Sequence, residues 1–229
     1  VKMLTLLCTA GGAGWLATQA TPWQAWTASY RTAIGERRQI QLADGSNIWL
    51  NTASAMDAEY DDNLRRIRLY AGEILIETAR DTSAPARPFV VDTSQGRMRA
   101  IGTRFSVRQF DDASLLSVYE GEVEVRPAKD AEAKIIRANE QVRFTAQGIE
   151  PVSSAMFAQQ AWSKDMLVAD NMRLEDLIAE LSRYRRGYLG CAPEVADLRV
   201  VGAYSLNDPD HILTALEATL PIRIRRTMP

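Results

Sequence analysis

The chain has 229 residues, a formal net charge of −2, one histidine and two cysteines. That length supports one large or two small domains with a real core, and the near-neutral balance leaves no basic footprint for nucleic acid. His211, Cys8 and Cys191 cannot assemble a zinc site or a disulfide framework, and no G-x-S-x-G accompanies the lone histidine. No metal or cofactor is expected, and ordinary enzyme chemistry is poorly supplied.

No charged residue lies between Lys2 and Arg31, and the stretch from Met3 to Ala20 is apolar or small almost throughout. A helix of that length, at about 1.5 Å per residue, approaches the ~30 Å hydrocarbon core of a bilayer. Residues 1–22 are therefore expected to be a single transmembrane segment. Lys2 would mark its cytoplasmic end, and Trp15, Trp23, Trp26 and Tyr30 would form an interfacial belt. A linker over 23–32 would follow. The competing readings are a cleaved secretory signal, with small residues at Thr18 and Ala20, and a buried soluble helix. The anchor and the cleaved signal both place residue 30 onward outside the cytoplasm, and the low cysteine count fits a bacterial periplasm, where Cys191 has no soluble partner.

From Ala33 to Val152 the apolar residues alternate in short groups such as Ile40/Leu42, Ile48/Leu50, Ile74/Ile76, Phe105/Val107 and Val123/Val125. Turn signals such as Asp44-Gly45-Ser46, Asp61-Asp62-Asn63 and Gln147-Gly148 separate them. Calcium-ligand spacing is absent from these acidic turns. Residues 33–152 read as an all-β domain of about ten strands, each three to six residues long, in a β-solenoid or a sandwich. An internal echo supports repetition: Leu69-Tyr70-Ala71-Gly72-Glu73-Ile74 returns as Val118-Tyr119-Glu120-Gly121-Glu122-Val123. A glycine at the same place in two strands predicts a backbone bend or bulge.

The run from Tyr30 through Gly35-Glu36, Ile40 to Ser46, Leu50-Asn51, Gly72-Glu73, Arg87 to Val91, Ile101 to Val107 and Gly121 resembles the FecR family of bacterial sigma-factor regulators. The resemblance implies a single-pass inner-membrane protein with its C-terminal part in the periplasm. Contact with an extracytoplasmic-function sigma factor is expected through a cytoplasmic region not found among these residues. Several proteins of this family are similar in cleaving themselves at a Gly-Thr bond, and Gly102-Thr103 stands in the matching position. The threonine hydroxyl attacks the preceding carbonyl, and glycine leaves that carbonyl accessible.

After a linker over 153–165 the period changes. Leu174, Leu177, Ile178 and Leu181 mark an amphipathic helix capped by Asp170 or Asn171, with Arg183, Arg185 and Arg186 at its end. Asp208-Pro209 opens a second helix that carries Ile212, Leu213 and Leu216, with His211 as a solvated or capping residue. Strands at Met166–Ala169, Leu198–Tyr204 and Ile222–Ile224 complete a small α+β domain over 166–229, in the order β-α-β then β-α-β. This order resembles the short N-terminal domain shared by secretins and TonB-dependent outer-membrane receptors. Small sheets have open edges that accept a partner strand, so Leu198, Val200, Gly202 and Tyr204 are the expected partner-binding residues.

Taken together, these features predict a membrane-anchored regulator that receives a signal from the periplasmic domain of a TonB-dependent siderophore receptor. It would work by contacts, with self-cleavage at Gly102-Thr103 as its only chemistry. The alternative is a periplasmic assembly or scaffold protein that uses a secretin-like domain. An enzyme acting on envelope polymer is the weakest reading.

Overall fold

Turn chemistry sets the strand ends in the first two thirds of the chain. At the first hairpin Asp44 accepts hydrogen bonds from the Ser46 amide (3.0 Å) and hydroxyl (2.8 Å), while Gly45 takes φ +87°. At the next, Asp61 accepts from the amides of Asn63 and Leu64. The computed structural model describes residues 23–129 and 132–224. The predicted transmembrane segment, residues 1–22, lies outside them. Among the described residues no helix is long and apolar enough to cross a membrane.

In chain order the elements are α1 (Trp23–Thr27), β1 (Tyr30–Arg31), β2 (Arg38–Gln41), β3 (Asn47–Leu50), β4 (Ala55–Tyr60) and β5 (Arg65–Glu77). Then come β6 (Phe89–Thr93), β7 (Gly96–Gln109), β8 (Ser114–Pro127), β9 (Lys134–Arg137), β10 (Glu140–Phe144) and β11 (Ser153–Ser154). A 3-10 helix (Phe157–Lys164) leads to β12 (Met166–Arg173), α2 (Leu174–Ser182), β13 (Arg199–Ser205) and α3 (Pro209–Thr219). The segment read as a linker over 23–32 thus contains α1 and β1, with Ala25 and Ala28 buried beside Ala55.

Strands β1 to β11 form one mixed sheet, largely antiparallel. Three of them are much longer than the sequence reading expected, at 13, 14 and 14 residues for β5, β7 and β8. Each changes partners midway, at a glycine with positive φ: Gly72 (+81°), Gly102 (+64°) and Gly121 (+75°). The first half of β5 pairs with β4 and β6, and the second half with β3 and β7. β7 leaves β6 for β5 at Gly102, and β8 moves between β10 and β9 at Gly121. Bends of this kind let one strand serve two packed layers. The core draws on both halves of every long strand, uniting Ile67, Leu69, Phe89 and Met98 with Ile74, Ile76, Phe105 and Phe144. The architecture is therefore a sheet folded on itself, sandwich-like; the solenoid alternative is corrected, because the strands are shared between layers instead of stacking as repeated coils. The bends expected from the internal echo are present at Gly72 and Gly121.

The C-terminal module also differs from its expected order. It is β-α-β-α, with a two-stranded antiparallel sheet, and Ile222–Ile224 does not form a strand. Leu174, Leu177, Ile178 and Leu181 of α2 and Ile212, Leu213 and Leu216 of α3 are buried, as the helical period requires. Asp208 caps α3 by accepting from the His211 amide at 3.0 Å. The expected cap on α2 is absent: Asn171 sits in a bulge of β12 with φ +51°, and the residue at the cap is Arg173. The amides of Leu174 and Glu175, which have no partner within the helix, are instead satisfied by the carbonyls of Leu198 (2.8 Å) and Ala196 (3.1 Å), which makes a side-chain cap unnecessary.

Gly72 has no room for a side chain, because a Cβ there would lie 2.5 Å from Ser54 Cα and would hold a strained φ. Gly72→Ala is expected to lower unfolding free energy by about 3 kcal/mol in urea titration. Gly148→Ala, with nothing within 4 Å, should change it by less than about 0.5 kcal/mol.

Candidate functional site

Two constellations stand out, one between the modules and one at the bend of β7. The first is built on Glu73, which follows Gly72 on β5 and is only 7% exposed. Past the bend, Glu73 and Leu75 alternate with Ile74 and Ile76. Ile74 and Ile76 enter the sheet's own core, whereas Leu75 joins Tyr119, Trp162 and the apolar faces of α2 and α3 in a second core. Glu73 therefore points at the C-terminal module. Its carboxylate accepts from Trp162 Nε1 (3.1 Å), Asn51 Nδ2 (2.9 Å) and Arg183 (2.7 Å).

These donors come from a strand end, the 3-10 helix and the end of α2, so the carboxylate is satisfied only when the modules are seated together. Asn51 also donates to Tyr184 Oη at 2.9 Å, and the Thr52 hydroxyl donates to the Arg183 carbonyl at 2.9 Å. Arg183 is shared with Glu180, which also accepts from Arg108 of β7 at 2.8 Å. Burial pushes the Glu180 carboxyl up, but Arg183 and Arg108 outweigh it and hold it below its ordinary value. Burial also pushes the Tyr184 hydroxyl up, leaving it neutral and able to accept from Asn51. At the periphery Arg37 bonds Asp165 (2.7 Å) and Asn207 (2.9 Å).

The second constellation is the Gly102-Thr103 bond. The β7–β8 register runs from Ile101↔Glu122 directly to Arg104↔Glu120, so Gly102 and Thr103 together oppose Gly121. A Cβ on Gly121 would lie 2.8 Å from Thr103 Cγ2 and closer still to the Gly102 carbonyl oxygen, which is why the facing residue is glycine. Thr78, just beyond β5, grips Thr103 from the other side. Its hydroxyl accepts from the Thr103 amide (2.9 Å), and its amide donates to the Thr103 carbonyl (3.0 Å). The Thr103 side chain is different: the residue is 4% exposed, yet Oγ1 has no hydrogen-bond partner. Leaving a buried hydroxyl unmatched costs about 1–3 kcal/mol. Such exceptions in folded proteins call for a functional or strain-related account.

The predicted partner-binding residues divide by strand alternation. Val200 is buried, and Leu198 and Tyr204 pack against the second core. Arg199, Val201, Ala203 and Ser205 face outward, with Val201 74% exposed. Both outer edges of the β12–β13 pair are unpaired among the described residues. No group of three or more His, Cys, Asp or Glu suited to a metal ion occurs among them.

Residues 28–124 match the FecR protein family. The match covers 97 of the 229 residues, so the strand-rich part of the chain is FecR-like. No curated protein is significantly similar to it. Two crystal structures of candidate anti-sigma factors from Parabacteroides distasonis ATCC 8503 share the fold. One, at 1.65 Å resolution, has a TM-score of 0.67 and 23% identity over 87% of this chain and 94% of that one. The other, at 2.50 Å, has a TM-score of 0.65 and 24% identity over 86% and 93%. The likeness extends well past the FecR domain and so takes in much of the C-terminal module. At these identities it is a likeness of fold. Gly35, Asn51, Gly72 and Glu73, all within the matched residues, touch or border the module interface: a Cβ on Gly35 would lie 2.9 Å from the Tyr184 carbonyl oxygen. Sequence reasoning had noted these residues without their role. The available signal was a glutamate in strand phase with Leu75.

Because the Glu180 carboxyl is held below its ordinary value of 4.5 in the folded state, its stabilising contribution is complete above that pH. The contribution is lost as pH falls through the lowered value. In urea titrations from pH 7 down to 3, Glu180→Gln should flatten the loss of stability below about pH 4.5 relative to wild type.

Proposed function

We propose that this FecR-domain protein is a membrane-anchored regulator of an extracytoplasmic-function sigma factor, its two modules lying in the periplasm of a bacterium. The observation that carries this reading is the FecR domain joined to a C-terminal module in a fold shared with candidate anti-sigma factors. The uncharged stretch between Lys2 and Arg31 supports the anchor. The C-terminal module, whose β-α-β-α order keeps part of the likeness to the short domain of secretins and TonB-dependent receptors, is the receiver. Its unpaired strand edges and the outward row Arg199, Val201, Ala203 and Ser205 suit strand pairing with the periplasmic domain of a TonB-dependent siderophore receptor.

Self-cleavage belongs to the same reading. The Thr103 hydroxyl oxygen bonds to the Gly102 carbonyl carbon, the C–N bond breaks, and the nitrogen takes up the hydroxyl proton. Water then opens the resulting ester, leaving a Gly102 carboxylate and a free amine on Thr103. The unmatched Oγ1, the left-handed Gly102 and the grip of Thr78 on the Thr103 backbone support this step. A cut here separates two halves of β7 that remain held by different neighbours, residues 96–101 by β6 and β8 and residues 104–109 by β5 and β8.

Wild type is expected to run as two fragments on a denaturing gel and as one species in native size exclusion, while Thr103→Ala runs as one full-length band. A single full-length band for both would end the cleavage proposal. Independently, the full chain should co-purify with the N-terminal periplasmic domain of a TonB-dependent siderophore receptor from the same bacterium, and Val201→Asp should weaken the complex about tenfold. Failure of wild type to bind that domain would count against the receptor.

A further inference from the structure

A groove of about 210 Å³ runs between the modules. One wall is the outer face of the sheet, with Ser106, Leu115 and Ser117; the opposite wall is β12; the 3-10 helix closes one side. Three features identify what it accepts. First, three methionines line it: Met156, just ahead of the 3-10 helix, and Met166 and Met172 on β12. Flexible thioether side chains adapt to varied apolar partners, and they are over-used on surfaces that bind peptide segments. Second, its charge is acidic. Asp170 and Asp176 stand at the groove, are exposed, and enter no ion pair among the described residues, whereas its one lining cation, Arg108, is held by Glu180. Third, the Gln159 side-chain oxygen, also in the lining, is buried and finds no donor.

An unmatched acceptor costs about 1–3 kcal/mol and is relieved by a donor arriving from outside. The volume is below the roughly 300–1,000 Å³ typical of small-molecule and cofactor sites, and it suits side-chain anchors of a chain lying across it. β12 adds an outer edge that pairs with nothing among the described residues.

We propose that this groove is a docking site for an extended segment of a partner protein that places apolar side chains among Met156, Met166 and Met172 and a lysine or arginine beside Asp170 and Asp176. An N–H of the segment donates to the Gln159 oxygen once that side chain turns to face the groove. The site is distinct from the outward row of β13 and does not depend on the sigma-factor reading.

The test uses the full chain with carbon-13-labelled methionine methyls and two ten-residue synthetic peptides, one alternating valine and lysine, the other valine and glutamate. The lysine peptide is expected to bind and to shift the methyl signals of Met156, Met166 and Met172, leaving those of the core residues Met56 and Met98 in place. The glutamate peptide should not bind. Asp170→Lys combined with Asp176→Asn, both at exposed positions, should weaken the lysine peptide about tenfold or more. Gln159→Leu should weaken it while leaving thermal stability unchanged or higher, which a purely structural glutamine would not do. Equal binding of both peptides, binding of neither, shifts confined to other methionines, or full affinity in the charge variant would overturn the proposal.

Discussion

One buried carboxylate ties the molecule together. Glu73 leaves the sheet as part of β5 and is matched by donors from an end of β3, the 3-10 helix and the end of α2. Burying an ion pair yields little net stability, because desolvation offsets the attraction; removing one partner of such a pair costs about 3–5 kcal/mol. The value of Glu73 is therefore alignment. Apolar contacts such as Leu75 and Tyr119 against α2 and α3 tolerate small slides, whereas one seating alone satisfies every donor around the carboxylate. With Arg108, Glu180 and Arg183 in the same network, β5, β7 and the C-terminal module share one alignment.

The same strands carry the bends on which the FecR domain depends. A long strand that serves two layers needs a residue free to take positive φ where it turns, and Gly72, Gly102 and Gly121 supply it. Gly102 and Gly121 face one another, so the backbones approach at the point where Thr103 is held by Thr78 and its hydroxyl is unmatched. The fold thus provides the Gly-Thr bond with a bulge, a close neighbour and a dry side chain as by-products of closing the sheet.

Much of this was legible in the sequence. Period-two apolar groups gave the strands, the Leu174–Leu181 and Ile212–Leu216 periods gave the helices, and the repeated Tyr-x-Gly-Glu placed two of the three bends. Strand length was not legible, because a left-handed glycine interrupts alternation in the same way as a strand end. At Ile222–Ile224 the backbone amides of the two isoleucines donate to the Leu220 carbonyl and the Glu217 carboxylate instead of to a neighbouring strand, while both side chains pack on the second core. The α2 cap was misplaced because the carbonyls of Ala196 and Leu198, some twenty residues downstream, do the work expected of Asp170 or Asn171. The interface residues were the least legible. Arg183 read as a helix-end cation, since its partner Glu73 lies 110 residues away, and nothing local to either residue announces the other.

That sequence separation has a consequence for how the protein is made. The FecR domain and its bends lie in the first part of the chain, but the cover for Leu75, Tyr119 and Trp49 arrives only with residues out to Leu216. At ribosomal rates of about 5–20 residues per second, the seventy or so residues after β10 take roughly 4–14 s to appear. Until then the nascent sheet presents an apolar face beside a carboxylate that has Asn51 but lacks Arg183. The charge opposes dry association of that face with another copy, because burying Glu73 without Arg183 is costly. The residue that later fixes the modules in place is thus a guard against aggregation while the chain is incomplete.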